Sequence, residues 1–268
     1  MTTTQTPQGS GAVQGELWSE RARDWAELQE PQHAPFYEDA IRRTGIGGGT
    51  RVLDVGCGTG GFCRIAAEAG AAVFGIDASA ASIEIGRDTV PGGSFTVGDL
   101  QFLPYDDGSF DVVTGFNSFQ FAADPVAALG EARRVVKRGG TVHVLVWGRE
   151  ERTQLVALLR ALRPLLPPAP PDAPGPFALS YPGALEALVE RSGLTPQDAG
   201  YVEATFEYAD EPTLLRAHRS PGITILAERT SGAEAVTEAI QETFVPFETE
   251  AGGYRLETEW RYVTATAP

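Results

Sequence analysis

Cysteine is scarce. The 268-residue chain has two, Cys57 and Cys63. Two cannot make a disulfide framework, and with three scattered histidines they fall short of a structural zinc set, so no metal centre is expected. Long apolar runs are also missing. None approaches the roughly 20 residues of a membrane-spanning helix, so no such helix is expected. The first residues, MTTTQTPQGSGAVQG, lack the basic and apolar blocks of a secretion signal. Their Thr, Gln, Gly and Ser content predicts a disordered tail over residues 1–15 and, by default, a cytoplasmic location. Positive charge is in short supply, with 21 Lys and Arg against 36 Asp and Glu and a net charge of −15. Such a surface repels nucleic-acid phosphates and anionic headgroups, so neither is an expected partner. The acidity itself serves solubility and names no substrate.

The chain holds enough apolar sequence for a sizeable core, at 42%, in a strand-and-helix alternation. Residues 16–30 have helical spacing, ended by Pro31, and a short helix is predicted over 36–43. The strand RVLDV (51–55) then runs into a glycine cluster and a helix (62–69). Strands are predicted at 71–77, 94–100, 110–117 and 141–148, with helices at 78–88 and 124–137. Asp124 is placed to cap the latter and Pro125 to start it. This alternation predicts βαβ units and a parallel sheet. It breaks at 149–181, where an apolar helix precedes the proline-rich run PPAPPDAPGP, and resumes with a helix over 182–194 and a strand at 201–208. Residues 211–245 read as helical. The final segment, 254–265, alternates like a strand with one polar face, which predicts an antiparallel strand at or near a sheet edge.

VLDVGCGTGGF (52–62) contains G-x-G-x-x-G in Gly56, Gly58 and Gly61, a pattern shared with dinucleotide sites. Asp54 conflicts with that reading. A pyrophosphate would meet its carboxylate, and residues 52–63 hold no Lys or Arg to offset it. Two more carboxylates fall at strand ends, Asp77 and Asp99. In an open parallel sheet these ends converge on the ligand cleft. A carboxylate after the second strand suits a ribose diol, and one after the third suits an adenine amino group. The ligand these residues describe carries adenosine, no phosphate and preferably positive charge. S-adenosylmethionine fits, and glycines let the backbone approach its methionine end.

The segments VLDVGCGTG (52–60), VFGIDAS (73–79), VGDLQFLPYDDGSFDVV (97–113) and EARRVVKRGG (131–140), in this order, resemble the class I S-adenosylmethionine-dependent methyltransferases. The likeness is to the small-molecule group related to ubiquinone and menaquinone methyltransferases and covers about residues 50–148. Arg138 stands where that family commonly has proline, in a turn remote from the cofactor. The resemblance implies a Rossmann-like seven-stranded α/β sheet, mostly parallel with an antiparallel last strand. Residues 16–268 then form one domain, with the sheet in about 50–148, 182–210 and 248–268 and a helical cap from 16–45, 149–181 and 211–247. It also implies that Asp54, Gly56, Cys57, Gly58 and Gly60 hold the methionine end. Asp77 takes the ribose, with Ala78 beside the adenine. Asp99 meets the adenine amino group with Leu100 nearby, and Asn117 borders the acceptor pocket. An extensive cap favours a small-molecule methyl acceptor.

Other readings stand beside these. The sheet and a ribose aspartate also suit a nicotinamide-dependent oxidoreductase, which leaves Asp54 unexplained. A binding protein or cyclase on the same fold uses the cofactor without methyl transfer. Cys57 suits a small turn residue better than a nucleophile, and His143 a satisfied sheet position. His33 and His218 suit either exposed loops or an acceptor pocket, and His33 is the candidate general base, although alignment alone can drive methyl transfer. Trp18, Trp25, Tyr37, Phe119 and Phe121 suit either an apolar acceptor pocket or packing between helices and sheet. The sequence carries no signal of oligomeric state.

Overall fold

Short apolar-rich runs, each closed by a turn, make the first four strands of this protein, and three longer strands of mixed composition complete its sheet. The computed structural model describes residues 10–168 and 175–268. The strands are β1 (Arg51–Val55), β2 (Ala72–Asp77), β3 (Ser94–Val97), β4 (Phe110–Phe116), β5 (Val136–Trp147), β6 (Thr195–Tyr208) and β7 (Tyr254–Thr266). They form one seven-stranded sheet in the order β3-β2-β1-β4-β5-β7-β6. β1 to β5 pair in parallel, and β7 runs antiparallel to both of its neighbours. Strand order therefore reverses between β1 and β4, which opens a crevice beyond their carboxyl ends.

The helices are α1 (Gly11–Ser19), α2 (Ala22–Asp24), α3 (Ala34–Thr44), α4 (Gly61–Glu68), α5 (Ala80–Thr89), α6 (Pro125–Val135), α7 (Val156–Leu162), α8 (Ala184–Arg191), α9 (Glu211–Arg219), α10 (Gly222–Ser231) and α11 (Ala233–Phe244). Asp124 caps α6 as expected, accepting from the N–H groups of Val126 and Ala127 at 2.9 and 3.0 Å. α6 and α8 pack on one face of the sheet through Leu129, Ala132, Leu185 and Val189. α3, α4 and α5 cover the other through Ala40, Phe62, Ala66 and Ile83. A third cluster joins α7, α9, α10 and α11 to β5, β6 and β7 through Leu158, Leu214, Ala227, Ile240, Phe206 and Trp260. Truncating any of its large members to alanine would cost roughly 2–5 kcal/mol. No helix among the described residues is long and apolar enough to cross a membrane.

Several elements differ from their sequence reading. Of the tail expected over 1–15, residues 1–9 lie outside the described residues, while Gly11 to Gly15 are helical. Tertiary contact holds them: the Gly11 N–H donates to Asp99 Oδ2 at 2.8 Å, and Gly15 sits so close to Ala78 that a Cβ would meet its carbonyl oxygen at 2.3 Å. The single helix expected over 16–30 is broken at Arg21 (φ −129°, ψ 37°), whose guanidinium donates to the Arg219 carbonyl and Glu228. The chain then passes through a π turn, Trp25–Gln29, and a 3₁₀ turn, Glu30–His33. Pro31 does not stop it, because proline at the first positions of a turn loses no needed hydrogen bond. Residues 169–174 of the proline-rich run lie outside the described residues. β7 is antiparallel as expected but lies one strand in from the edge, which β6 forms. Arg255 and Glu257 are exposed, but the polar side chains further along are buried: Glu259 pairs with Arg149, Arg261 with Glu186, and Thr264 with His143 Nδ1 at 2.9 Å.

Candidate active site

The loop after β1 closes on three left-handed glycines, Gly56, Gly58 and Gly60, at φ 77°, 53° and 87°. Side chains strain such backbone, and a Cβ on Gly56 would also strike Ser118 Cβ at 2.4 Å. Gly56 and Gly58 thus present bare backbone to a cleft across the carboxyl ends of β1, β2 and β4. Asp77, Ala78, Asp99, Leu100 and Asn117 line it too. Asp77 Oδ2 accepts from the Gly58 N–H at 2.9 Å and Oδ1 from the Ser79 N–H at 2.8 Å. Asp99 Oδ1 accepts from the Gln101 N–H at 2.8 Å, with Oδ2 held by Gly11. Each oxygen keeps lone-pair capacity for a ligand donor. The cleft spans about 970 Å³ including the open solvent at its mouth.

Asp54 lies behind this surface. It is 2% exposed, accepts from Thr114 Oγ1 at 2.8 Å, and is not among the lining residues. Burial raises its carboxyl to about 7, against the Thr114 hydrogen bond, with the Glu30 and Asp77 charges adding to the rise. Glu30 is the residue that sequence reading missed. It enters the glycine loop from the N-terminal cap and accepts from the Thr59 N–H at 3.2 Å and from Thr59 Oγ1. Its Oε1 lies 3.0 Å from where a Gly58 Cβ would stand. Burial lifts Glu30 to about 7 as well. No sequence signal marked Glu30, which reads as an ordinary helix end before proline.

Two predicted loop contacts are structural. Cys57 is buried with its sulfur against Gly75, and its thiol is pushed up by burial. Gly60 turns the chain into α4 against Gly86 and Phe95. Neither lines the cleft. Phe119, expected in the acceptor pocket, is fully buried, and its ring fills the space beside Gly115. The 3₁₀ turn Phe119–Phe121 points the two phenylalanines to different sides, and Phe121 lines the site.

A second, apolar cavity adjoins the cleft. Trp18, Trp25, His33, Asn117, Phe121 and Trp260 line both, while Tyr37 lines only the cleft. Segments expected in the cap complete the second cavity with Leu155, Leu158, Leu162, His218 and Thr224. Asn117 stands at the junction with φ 52°, unusual outside glycine. His33 Nδ1 is 2.9 Å from the Gln29 carbonyl oxygen. A carbonyl only accepts, so Nδ1 carries the proton and Nε2 is the free lone pair. Burial lowers His33 to about 4, leaving it neutral near pH 7.

The cleft residues fit S-adenosylmethionine. No Lys or Arg lines the cleft among the described residues, which disfavours a pyrophosphate, and carboxylates stand where an adenosine and a cation need them.

Residues 53–144 match a family model described as "Methyltransferase domain". The ubiquinone/menaquinone biosynthesis C-methyltransferase of Geobacter sp. (strain M21) is 36% identical over 115 residues, 40% of this chain and 49% of that protein. The chain spans about half the length of the curated relatives it matches. Among solved structures, the cyclase SpnF aligns with a TM-score of 0.57 at 22% identity, covering 87% of this chain and 80% of that one. Geranyl diphosphate C-methyltransferase from Streptomyces coelicolor A3(2), solved with Mg²⁺, geranyl diphosphate and S-adenosyl-L-homocysteine, aligns at 0.56 and 15% identity over 98% and 99% of the two chains. The glycine loop and the strand-end carboxylates lie within or beside the segment, residues 53–144, that matches the methyltransferase-domain model, and the chain shares its fold with these solved structures.

Proposed function

We propose that this protein transfers a methyl group from S-adenosylmethionine to a small organic acceptor. One observation carries the reading: a carboxylate-lined cleft with no Lys or Arg among the described residues opens, at Asn117, into an aromatic cavity. When bound, S-adenosylmethionine supplies the activated methyl group on its sulfonium. Asp77 accepts the ribose hydroxyls and Asp99 the adenine amino group. Gly56 and Gly58 let the backbone close on the methionine end, and the buried Asp54 and Glu30 provide negative potential behind it. Trp18, Trp25 and Phe121 exclude water from the passage between the two spaces. Holding the acceptor in line contributes most of the rate, and His33 Nε2 is placed to accept a proton from an acceptor hydroxyl.

The likeness to SpnF supports a second reading, in which the cofactor is structural and no methyl moves. Incubation with methyl-tritiated S-adenosylmethionine and a panel of uncharged ring compounds separates the two. Label appearing in an acceptor, together with S-adenosylhomocysteine, supports transfer. A bound cofactor that stays intact with every acceptor, including extracts fractionated by polarity, refutes it.

A further inference from the structure

The wall of the apolar cavity carries three polar atoms that the protein leaves unpaired. His218 Nε2, Thr224 Oγ1 and Trp260 Nε1 are buried and have no hydrogen-bond partner among the described residues. The three residues are 1%, 0% and 1% exposed, and all line the same cavity. More than nine in ten buried polar groups in native proteins are paired, and each exception costs roughly 1–3 kcal/mol. Three exceptions in one cavity wall are outside that pattern, and packing keeps two of them in place. Trp260 stacks on Trp147 with ring centroids 4.5 Å apart, and His218 stacks on Phe244 at 4.4 Å. The atoms are therefore held ready rather than free to find partners elsewhere.

The same wall holds no Asp, Glu, Lys or Arg among the described residues. Both of its histidines are neutral near pH 7, since burial lowers His33 to about 4 and His218 to about 3. A charged compound entering this space would lose its hydration and find no counter-charge. Most of the remaining surface is apolar, from Trp18, Trp25, Phe121, Phe206 and the leucines of α7, with the uncharged amides of Gln14, Gln29 and Asn117 among them. An indole N–H only donates, so it selects a ligand oxygen or nitrogen with a lone pair. A threonine hydroxyl and a neutral imidazole accommodate a second polar group.

We propose that Trp260, Thr224 and His218 form the polar recognition site for an uncharged, largely apolar ring compound bearing a hydrogen-bond-accepting oxygen, which Trp260 Nε1 binds. This rests on reading the aromatic cavity as the acceptor site. All three residues lie outside the matched domain of residues 53–144, so the site belongs to this chain's own strand β7 and insertion helices. It sets specificity by a penalty: a pure hydrocarbon of equal shape leaves the three groups unpaired, and an anion adds desolvation.

The test is equilibrium dialysis of the full chain with three probes of matched size, 2-acetylnaphthalene, 2-ethylnaphthalene and 2-naphthoate. The ketone should bind at least about tenfold more tightly than either of the others. Trp260→Phe should bring the ketone to the hydrocarbon's affinity while leaving the hydrocarbon within about twofold, and Thr224→Val gives a second reading should Trp260→Phe fail to fold. Equal binding of ketone and hydrocarbon, naphthoate as tight as the ketone, or a preference unchanged in the folded variants would overturn the proposal. A parallel titration with S-adenosylhomocysteine keeps the two claims apart. If that ligand does not bind but the ketone preference holds, the recognition site stands and the methyltransferase reading falls.

Discussion

Asp54→Asn should remove part of a pH dependence built into the free protein. Asparagine keeps an oxygen for the 2.8 Å bond from Thr114 Oγ1 and removes the charge. In the wild type, burial holds the carboxyl at about 7 instead of its usual 3.8. The folded chain thus keeps a proton that the unfolded chain has released. That contribution to stability is fully present below the unfolded pKa and is lost as pH rises through the folded one. Between pH 5 and pH 8 it amounts to about 3 kcal/mol, and asparagine lacks it. The variant's stability relative to wild type should therefore rise by about 3 kcal/mol over that interval, a relative melting shift of roughly 6–12 °C. The cost of burying the new amide nitrogen falls equally at both pH values and cancels in the comparison. Urea denaturation at pH 5 and pH 8, without cofactor, measures the difference. A stability change that is the same at both pH values would refute the assignment of a proton to Asp54.

Two further outcomes follow from the same geometry. With Glu30 and Asp54 both near 7 in the free protein, a cationic ligand favours their ionised forms. S-adenosylmethionine affinity should rise from pH 6 to pH 8 and level off above, with proton release visible as a buffer-dependent heat in calorimetry; proton uptake would contradict it. Gly15→Ala would place a Cβ 2.3 Å from the Ala78 carbonyl oxygen, forcing α1 away from the Asp77–Asp99 edge. Tryptic cleavage at Arg21 or Arg23 should become faster and S-adenosylhomocysteine affinity should fall several-fold, whereas an unchanged digestion pattern would show that α1 is not seated there.

The carboxylate-lined cleft was legible because its determinants are local. A glycine turn and two strand-end aspartates each sit within a few residues of the strand that positions them, so spacing alone places Gly56, Gly58, Asp77 and Asp99. Asp54 was read as facing the ligand, but it lies behind the loop, where its placement depends on pairing with Thr114, 60 residues away. The adjoining aromatic cavity is assembled from α1, α7, α10 and β7, and no short motif records that convergence. Glu30 escaped notice because a π turn, not a regular helix, aims it at the loop. The polar residues of β7 suggested solvent, yet Glu259 and Arg261 are buried against Arg149 and Glu186. A periodicity of two reports alternation and cannot tell a wet face from one satisfied by buried partners.

The central claim, an adenosine site held by strand-end carboxylates and closed to phosphate, is tested most directly by calorimetric titration with S-adenosylmethionine and with NADH. The wild type should bind S-adenosylmethionine at one site and NADH not at all, and Asp77→Ala should weaken the former at least about tenfold, as expected for removing charged hydrogen-bond acceptors worth roughly 1.5–3 kcal/mol. NADH binding at the same site, or an affinity for S-adenosylmethionine that Asp77→Ala leaves unchanged, would contradict it.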